Sequence, residues 1–493
     1  MIPSRLPIYG LLNFGFLMYI GAASAVGTDP NPRLLYLALL FAICSSPVLF
    51  LRKANDRFAV YAVFCAIYFV SFGALDVVAL ISGQGVGDAT QTLSPAELLI
   101  ILGGAAFAVG YQLSSRGGHS SSSFFTAKEW PRNTLIGMGL FLWGAGTAAT
   151  WYWNIHLTVR AGEFNNNTGQ LVTTILMLGR YAQPMGLFMI AYAYTMSRSP
   201  LLTLIVVALA IFQVYLGFVS DTKGGAMLGG IMVIVTGYLV KGKIPKVWAI
   251  AGILFIFLAF PIFQAHRMYV VGERGLSNAS SVANFDKALQ VSVAGQQRAA
   301  AEHAESFFQR SSVKSAIEMI VNKTAEGVPF QHGYTLIPLA MALIPRLIWP
   351  EKLDIQVGVL VNKEFNVTGD GTTYISPSHL GELYWNFGWI GAITGMLLLG
   401  MLLGWINRLC DMSTGTSVTR LLILGITILQ LGVRFEASIA TEYAVWLRSI
   451  VGILIMHWMF ARKTETPAIG SRSESIAAVS PVVPVPQFSN ILR

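Results

Sequence analysis

The chain has 493 residues, of which 54% are hydrophobic and only 12% charged, against about 25% charged in an ordinary soluble domain. That composition excludes water as the main solvent. The formal net charge of +9 fits orientation in a bilayer better than nucleic-acid binding, because the basic side chains sit mainly in alternate loops. Cys44, Cys65 and Cys410 fall within or beside apolar stretches without disulfide or metal-ligand spacing, so neither a disulfide framework nor a zinc site is suggested.

Apolar runs of about 17 to 25 residues recur along the chain, each long enough to cross a bilayer as a helix with its backbone hydrogen-bonded internally. About twelve spans are predicted, at 6–26, 34–51, 58–81, 95–113, 133–157, 171–195, 201–219, 225–240, 247–264, 385–407, 420–433 and 442–460. The first run, Leu6 to Val26, leads into a second span and reads as a retained helix, not a cleaved signal. With the amino terminus inside, Arg52, Lys53, Arg57, Arg116, Lys128, Arg132, Arg198, Lys241, Lys243, Lys246, Arg408 and Arg420 all fall in inner loops. By count, the inner loops and tails carry about 17 Lys and Arg and the short outer loops about 4, which puts both termini in the cytoplasm.

The organisation this implies is an all-α polytopic transmembrane bundle with one large extracytoplasmic loop. Residues 1–264 carry the first nine spans, 265–384 the large outer loop, 385–462 the last three spans, and 463–493 a Ser-, Pro- and Val-rich tail expected to be disordered. Within the loop, Phe285, Leu289 and Val293, then Val313, Ile317 and Ile320, recur at helical spacing and predict short amphipathic helices. Gly333 to Trp349 is apolar but contains Pro338 and Pro345, and is read as re-entrant or lying at the outer interface.

Ionisable groups gather at the outer face: His266, Arg267, Arg310, His332, Arg346, Lys352, His379, Glu382, Arg434, Glu436, Glu442 and Arg448. Basic groups beside a low-dielectric wall suit an anion, and arginine matches phosphate bidentately, so a lipid-linked phosphate or pyrophosphate is the candidate ligand. Solvation or lipid headgroups account for Arg274 and Arg298, and equally well for Arg267 and Arg310. Arg448, inside the last span, reads as an ion pair with Glu442 or Glu436 or as a ligand contact, and Asp76 and Arg180 carry the same two readings. The stretch Ser376 to Trp389 places His379 and Glu382 three residues apart on one helix face, where either could take a proton from a sugar hydroxyl. In the alternative, Tyr384, Trp385 and Trp389 form an interfacial aromatic belt and His379 is a hydrogen bonder at a helix start.

Three stretches carry a family resemblance: Pro345 to Lys352 (PRLIWPEK), Gly381 to Gly388 (GELYWNFG), and Arg434, Phe435, Glu436. On these the chain resembles the Wzy-type oligosaccharide repeat-unit polymerases of O-antigen and exopolysaccharide synthesis in bacterial inner membranes. The resemblance implies a metal-independent glycosyltransferase related to the GT-C class and to O-antigen ligases, without cofactor; no Asp-x-Asp pair occurs in the chain. Donor and acceptor would be undecaprenyl-pyrophosphate-linked oligosaccharide. Membrane lipid and a chain-length regulator are further partners, and nucleic acid is not one. In this reading Arg346 and Arg434, with Arg310 or Arg267, bind the donor pyrophosphate, and His379 or Glu382 activates the acceptor hydroxyl. His332, Lys352, Tyr384 and Glu436 are further substrate contacts. A ligase using the same donor, and a flippase or transporter of lipid-linked glycan, are the competing readings; the second would place its polar groups near the bilayer midplane.

Overall fold

A backbone without water around it must satisfy its own hydrogen bonds, and helix is accordingly almost the sole regular structure among the described residues. The computed structural model describes residues 6–25, 34–50, 59–81, 93–115, 128–156, 170–197, 199–219, 223–243, 245–252, 254, 312–344, 348–349, 353, 355–368, 373–410 and 417–463. In chain order these form α1 (Leu6–Ala25), α2 (Leu34–Ser45), α3 (Pro47–Phe50), α4 (Ala59–Phe72), α5 (Ala74–Ile81), α6 (Pro95–Ser115), β1 (Lys128–Glu129), α7 (Arg132–His156), α8 (Gln170–Ser197), α9 (Pro200–Val219) and α10 (Lys223–Lys241). After the first part of the predicted loop come α11 (Lys314–Ala325), a 3-10 turn (Tyr334–Leu336), α12 (Ile337–Ala340), α13 (Val357–Phe365) and α14 (Ser378–Leu409). The chain closes with α15 (Val418–Thr427), a π-helical turn (Ile428–Val433), α16 (Ile439–Phe460) and β2 (Arg462–Lys463). β2 pairs antiparallel with β1, Lys128 opposite Lys463.

Among the described residues, four helices are long and apolar enough to cross a membrane, Pro95–Ser115, Pro200–Gly217, Ser378–Leu409 and Ile439–Phe460. The pair Val60–Phe72 and Ala74–Leu80, bent by 50°, makes a fifth if it is one span. The expected count of about twelve is not reached by this measure among the described residues, for identifiable reasons. The predicted span 34–51 breaks at Ser46, ahead of Pro47, which has no N–H to continue the helix. The span 58–81 bends at Gly73, which lies against Leu40 and Phe69. The segments 225–240 and 420–433 form shorter apolar helices, and most of 247–264 lies outside the described residues.

In the predicted outer loop, α11 buries Ile317 and Ile320 as the spacing predicted, while Phe285, Leu289 and Val293 lie outside the described residues. Gly333 to Trp349 forms no span where it is described: it opens with the 3-10 turn and the single turn α12. α14 begins at Ser378, so residues 378–384, expected as the end of the loop, are its first turns.

α6 and α14 pack backbone to backbone. A Cβ at Gly110 would lie 2.1 Å from the Leu397 carbonyl oxygen, and one at Gly400 would lie 2.1 Å from that of Phe107. The backbones meet because small residues line the contact, which supplies the dispersion energy that apolar burial cannot provide between helices in lipid. Asn407 Nδ2 donates to the Tyr111 hydroxyl across the same seam at 2.8 Å.

α11 is tied to this frame by charge. Lys314 Nζ lies 2.8 Å from Asp76 Oδ2 and 2.8 Å from Glu97 Oε1, with its own side chain 7% exposed, and 4.3 Å from the centre of the Tyr36 ring. Glu97 also closes a capping box at the start of α6, its Oε2 accepting from Ser94 N–H at 3.0 Å while Ser94 Oγ accepts from Glu97 N–H at 3.1 Å. Asp76 is thus held in an ion pair, the structural one of its two readings.

Lys314 pairs with two nearly buried carboxylates at once, and removing it takes that shared cation away. Lys314→Met is expected to destabilise the protein by about 3–5 kcal/mol, read as a lowered thermal midpoint in detergent, and the triple change Lys314→Met, Asp76→Asn, Glu97→Gln to restore most of it. An unchanged midpoint in the single variant would show that the cluster carries no weight.

Candidate active site

The opening of α14 is polar, yet Ser378, His379, Glu382 and Asn386 are all fully buried. Each polar group there finds its partners in distant segments. Glu382 Oε1 accepts from the Thr335 hydroxyl at 2.8 Å, and Oε2 accepts from the backbone N–H of Ile439 at 2.6 Å. Ile439 is the first residue of α16, where unpaired N–H groups and the positive end of the helix dipole attract a carboxylate. One turn on, Asn386 Nδ2 donates to Thr335 Oγ1 and to the Glu382 carbonyl, both at 2.7 Å, and Asn386 Oδ1 accepts from Gly333 N–H at 2.8 Å.

The helix then kinks at Gly388, whose φ of 67° and ψ of −156° suit glycine and few other residues. The kink frees the carbonyls of Trp385 and Asn386, which accept from Gln331 N–H at 2.9 Å and His332 N–H at 3.0 Å. Trp385 Nε1 donates to the Pro329 carbonyl at 3.2 Å. The motif Gly381 to Gly388 therefore clasps the turn at 329–335 on one side and α16 on the other.

At its start, α14 receives the Arg434, Phe435, Glu436 stretch. Ser378 N–H donates to the Glu436 carbonyl at 2.9 Å and His379 N–H to the Phe435 carbonyl at 3.1 Å, and the Ser376 hydroxyl donates to Glu436 as well. The Phe435 ring is buried among Phe64, Tyr68 and Phe72 of α4. His379 stands edge-on to Phe435 at 4.9 Å and to Tyr443 at 5.5 Å. Neither of its ring nitrogens has a hydrogen-bond partner among the described residues. Ser378 (φ 60°) and His332 (φ 49°) hold left-handed backbone without being glycine, the kind of local strain that gathers at functional sites.

Arg434 follows the π-helical turn, a feature frequent near functional sites. Its side chain is 53% exposed, and Nη1 lies 3.5 Å from Oε2 of Glu442, whose side chain is 6% exposed. The other predicted contacts spread around this centre. Glu436 and His332 are exposed. Tyr384 is buried, its ring edge-on to Phe330 and Trp389. Trp385 is fully buried against Phe365, which removes it from an interfacial belt. Arg448 does not take Glu442 as its partner: its Nε donates to the Ala342 carbonyl at 2.8 Å, while Glu442 faces Arg434. Arg267, Arg310, Arg346 and Lys352 lie outside the described residues, as do His266 and the side chain of Arg180.

The structure thus brings His379, Glu382, Arg434 and Glu436 together and sets His332 beside Asn386. Sequence reasoning missed Thr335, which carries no local signal in an apolar segment, and gave Asn386 no role although it stands one turn after Glu382. Among the described residues no group of three or more His, Cys, Asp or Glu side chains could hold a metal ion.

A family model for O-antigen polysaccharide polymerase Wzy matches residues 9–463. No curated protein and no solved structure matches the chain. The matched span includes every residue of the clasp, the Arg434 stretch and the apolar helices of an integral membrane protein. The protein belongs to the O-antigen polysaccharide polymerase Wzy family, glycosyltransferase-like polymerases that act on lipid-linked oligosaccharide repeat units.

Proposed function

We propose that this polymerase joins undecaprenyl-pyrophosphate-linked repeat units into O-antigen or exopolysaccharide at the periplasmic face of the bacterial inner membrane, with both chain ends in the cytoplasm. The observation that carries the reading is a half-exposed guanidinium, Arg434, on a stretch hydrogen-bonded to the opening of α14. In the reaction an acceptor hydroxyl oxygen attacks the anomeric carbon of the donor glycan. The bond from that carbon to the pyrophosphate oxygen breaks, and lipid pyrophosphate leaves with the electron pair. Arg434 offers paired N–H donors to the pyrophosphate and stabilises the charge that develops as it leaves. Arg346, with Arg310 or Arg267, completes this anion site from the long loop, and Lys352, His332, Tyr384 and Glu436 border the glycan. Arginine charge then does the work of a metal ion, and the reaction proceeds without one.

His379 and Glu382 stand behind this surface. Both Glu382 oxygens are occupied, and we assign it to holding α16, and with it the Arg434 stretch, against α14. His379 packs in the same contact, between Phe435 and Tyr443.

Arg434→Ala is expected to lower polymer formation by about one to two orders of magnitude, with protein still in the membrane and single capped repeats accumulating; Arg434→Lys keeps part of the activity. Wild-type polymer from Arg434→Ala would remove Arg434 from the site, and long polymer left on the lipid carrier would point to a ligase. Glu382→Gln keeps the shape of the clasp and should still polymerise, whereas Glu382→Ala leaves two buried donors unpaired at about 1–3 kcal/mol each and should deplete folded protein. A folded Glu382→Gln protein whose rate falls by about 10² to 10⁴ would instead make Glu382 the base. A cysteine placed at Glu436 is expected to react in intact cells with a membrane-impermeant thiol reagent applied from the periplasm; protection there would put the site on the wrong side.

A further inference from the structure

Transfer to a sugar hydroxyl needs a group to receive its proton, and the carboxylates at this end of the bundle differ in how free they are to do so. Glu382 is enclosed, with both oxygens accepting hydrogen bonds. Glu442 is different. It sits in the first turn of α16, and its Oε2 accepts no hydrogen bond although it is buried. The only cation beside that oxygen among the described residues is Arg434, at 3.5 Å in an ion pair too loose for hydrogen-bond geometry. The two partners are also unequal in exposure. Arg434 is 53% exposed, while Glu442 is 6% exposed and lies in the first turn of its helix. That helix start is firmly capped: Ser438 Oγ accepts from Thr441 N–H at 3.4 Å and donates to Thr441 Oγ1 at 2.8 Å.

The surface next to Glu442 suits a sugar. Tyr374 is 47% exposed, and Thr441, next to Glu442 in the chain, is exposed as well. An aromatic face beside hydroxyl and carboxylate groups offers a pyranose both stacking and polar contacts.

We propose that Glu442 is the catalytic base, released for that role when Arg434 transfers its guanidinium from Glu442 to the donor pyrophosphate. The inference rests on the reading that Arg434 contacts the pyrophosphate. Donor binding strips a nearly buried carboxylate of its counter-ion, and such a carboxylate takes a proton readily. The acceptor oxygen then bonds to the anomeric carbon as its proton passes to Glu442, and the carbon–oxygen bond to pyrophosphate breaks with its electrons leaving on the phosphate. Departure of lipid pyrophosphate returns Arg434 to Glu442, which gives its proton to solvent. One ion pair thereby couples donor occupancy to activation of the acceptor, so that the base is unmasked only when there is a donor to attack.

The test uses full-length purified protein in detergent with a defined lipid-linked repeat unit, measuring turnover and donor binding separately. Glu442→Gln should fold, bind donor as wild type does and lose about 10²- to 10⁴-fold in turnover. Glu442→Asp, which keeps the charge one methylene further back, should recover part of that loss. Turnover of Glu442→Gln within about tenfold of wild type, less than the general-base range, would overturn the proposal. So would equal rates in the Gln and Asp variants, or loss of donor binding in Glu442→Gln, which would make Glu442 only a holder of Arg434. The underlying reading fails separately, by wild-type donor binding in Arg434→Ala.

Discussion

A carboxylate buried away from water must be surrounded by donors, and few sites in a membrane protein can supply them. Glu382 meets that requirement with the hydroxyl of Thr335, 47 residues away, and the first backbone N–H of α16, 57 residues away. The same oxygens therefore fix the position of three segments at once. Asn386 repeats the device one turn along with Gly333 and Thr335. Because α16 and the Arg434 stretch hang from this clasp, the geometry of the candidate site follows from the solvation needs of a single acid.

A second buried charge cluster does comparable work where α11 meets the bundle. Lys314 satisfies Asp76 and Glu97 together, and the backbone of Val313 donates to Ser71 beside it at 3.1 Å. α11 is thereby fixed to α5 and α6, the latter locked to α14 through the glycine contact at Gly110 and Gly400. The chain of constraint runs from a capping box at Ser94 to the first turns of α14. Rigid support of this kind is what a positioned guanidinium requires if it is to be aimed at developing charge.

Against this background Arg434 is the exposed element. It ends a π-helical turn, is half exposed, and shares only a loose ion pair with an enclosed acid. The contrast is between an enclosed carboxylate and a guanidinium open to solvent, and the proposed exchange of partners draws on it. Neighbouring strain at Ser378 and His332 is sustained because backbone hydrogen bonds to Glu436 and Asn386 hold both residues.

The sequence by itself determined the helical class, the membrane environment and most helix positions, because hydropathy and the absence of water act on consecutive residues. It also singled out His379, Glu382, Arg434 and Glu436, since ionisable groups beside apolar spans stand out without any tertiary information. Only the tertiary structure decided what those groups do. Glu382 as a clasp, Glu442 facing Arg434 and not Arg448, and Trp385 inside the protein all depend on partners brought together from far along the chain. Lys314 and Asp76 are 238 residues apart, and Asn407 and Tyr111 are 296 apart. Local propensity has no access to such pairings, and they are decided by which buried polar groups can satisfy one another once the helices pack.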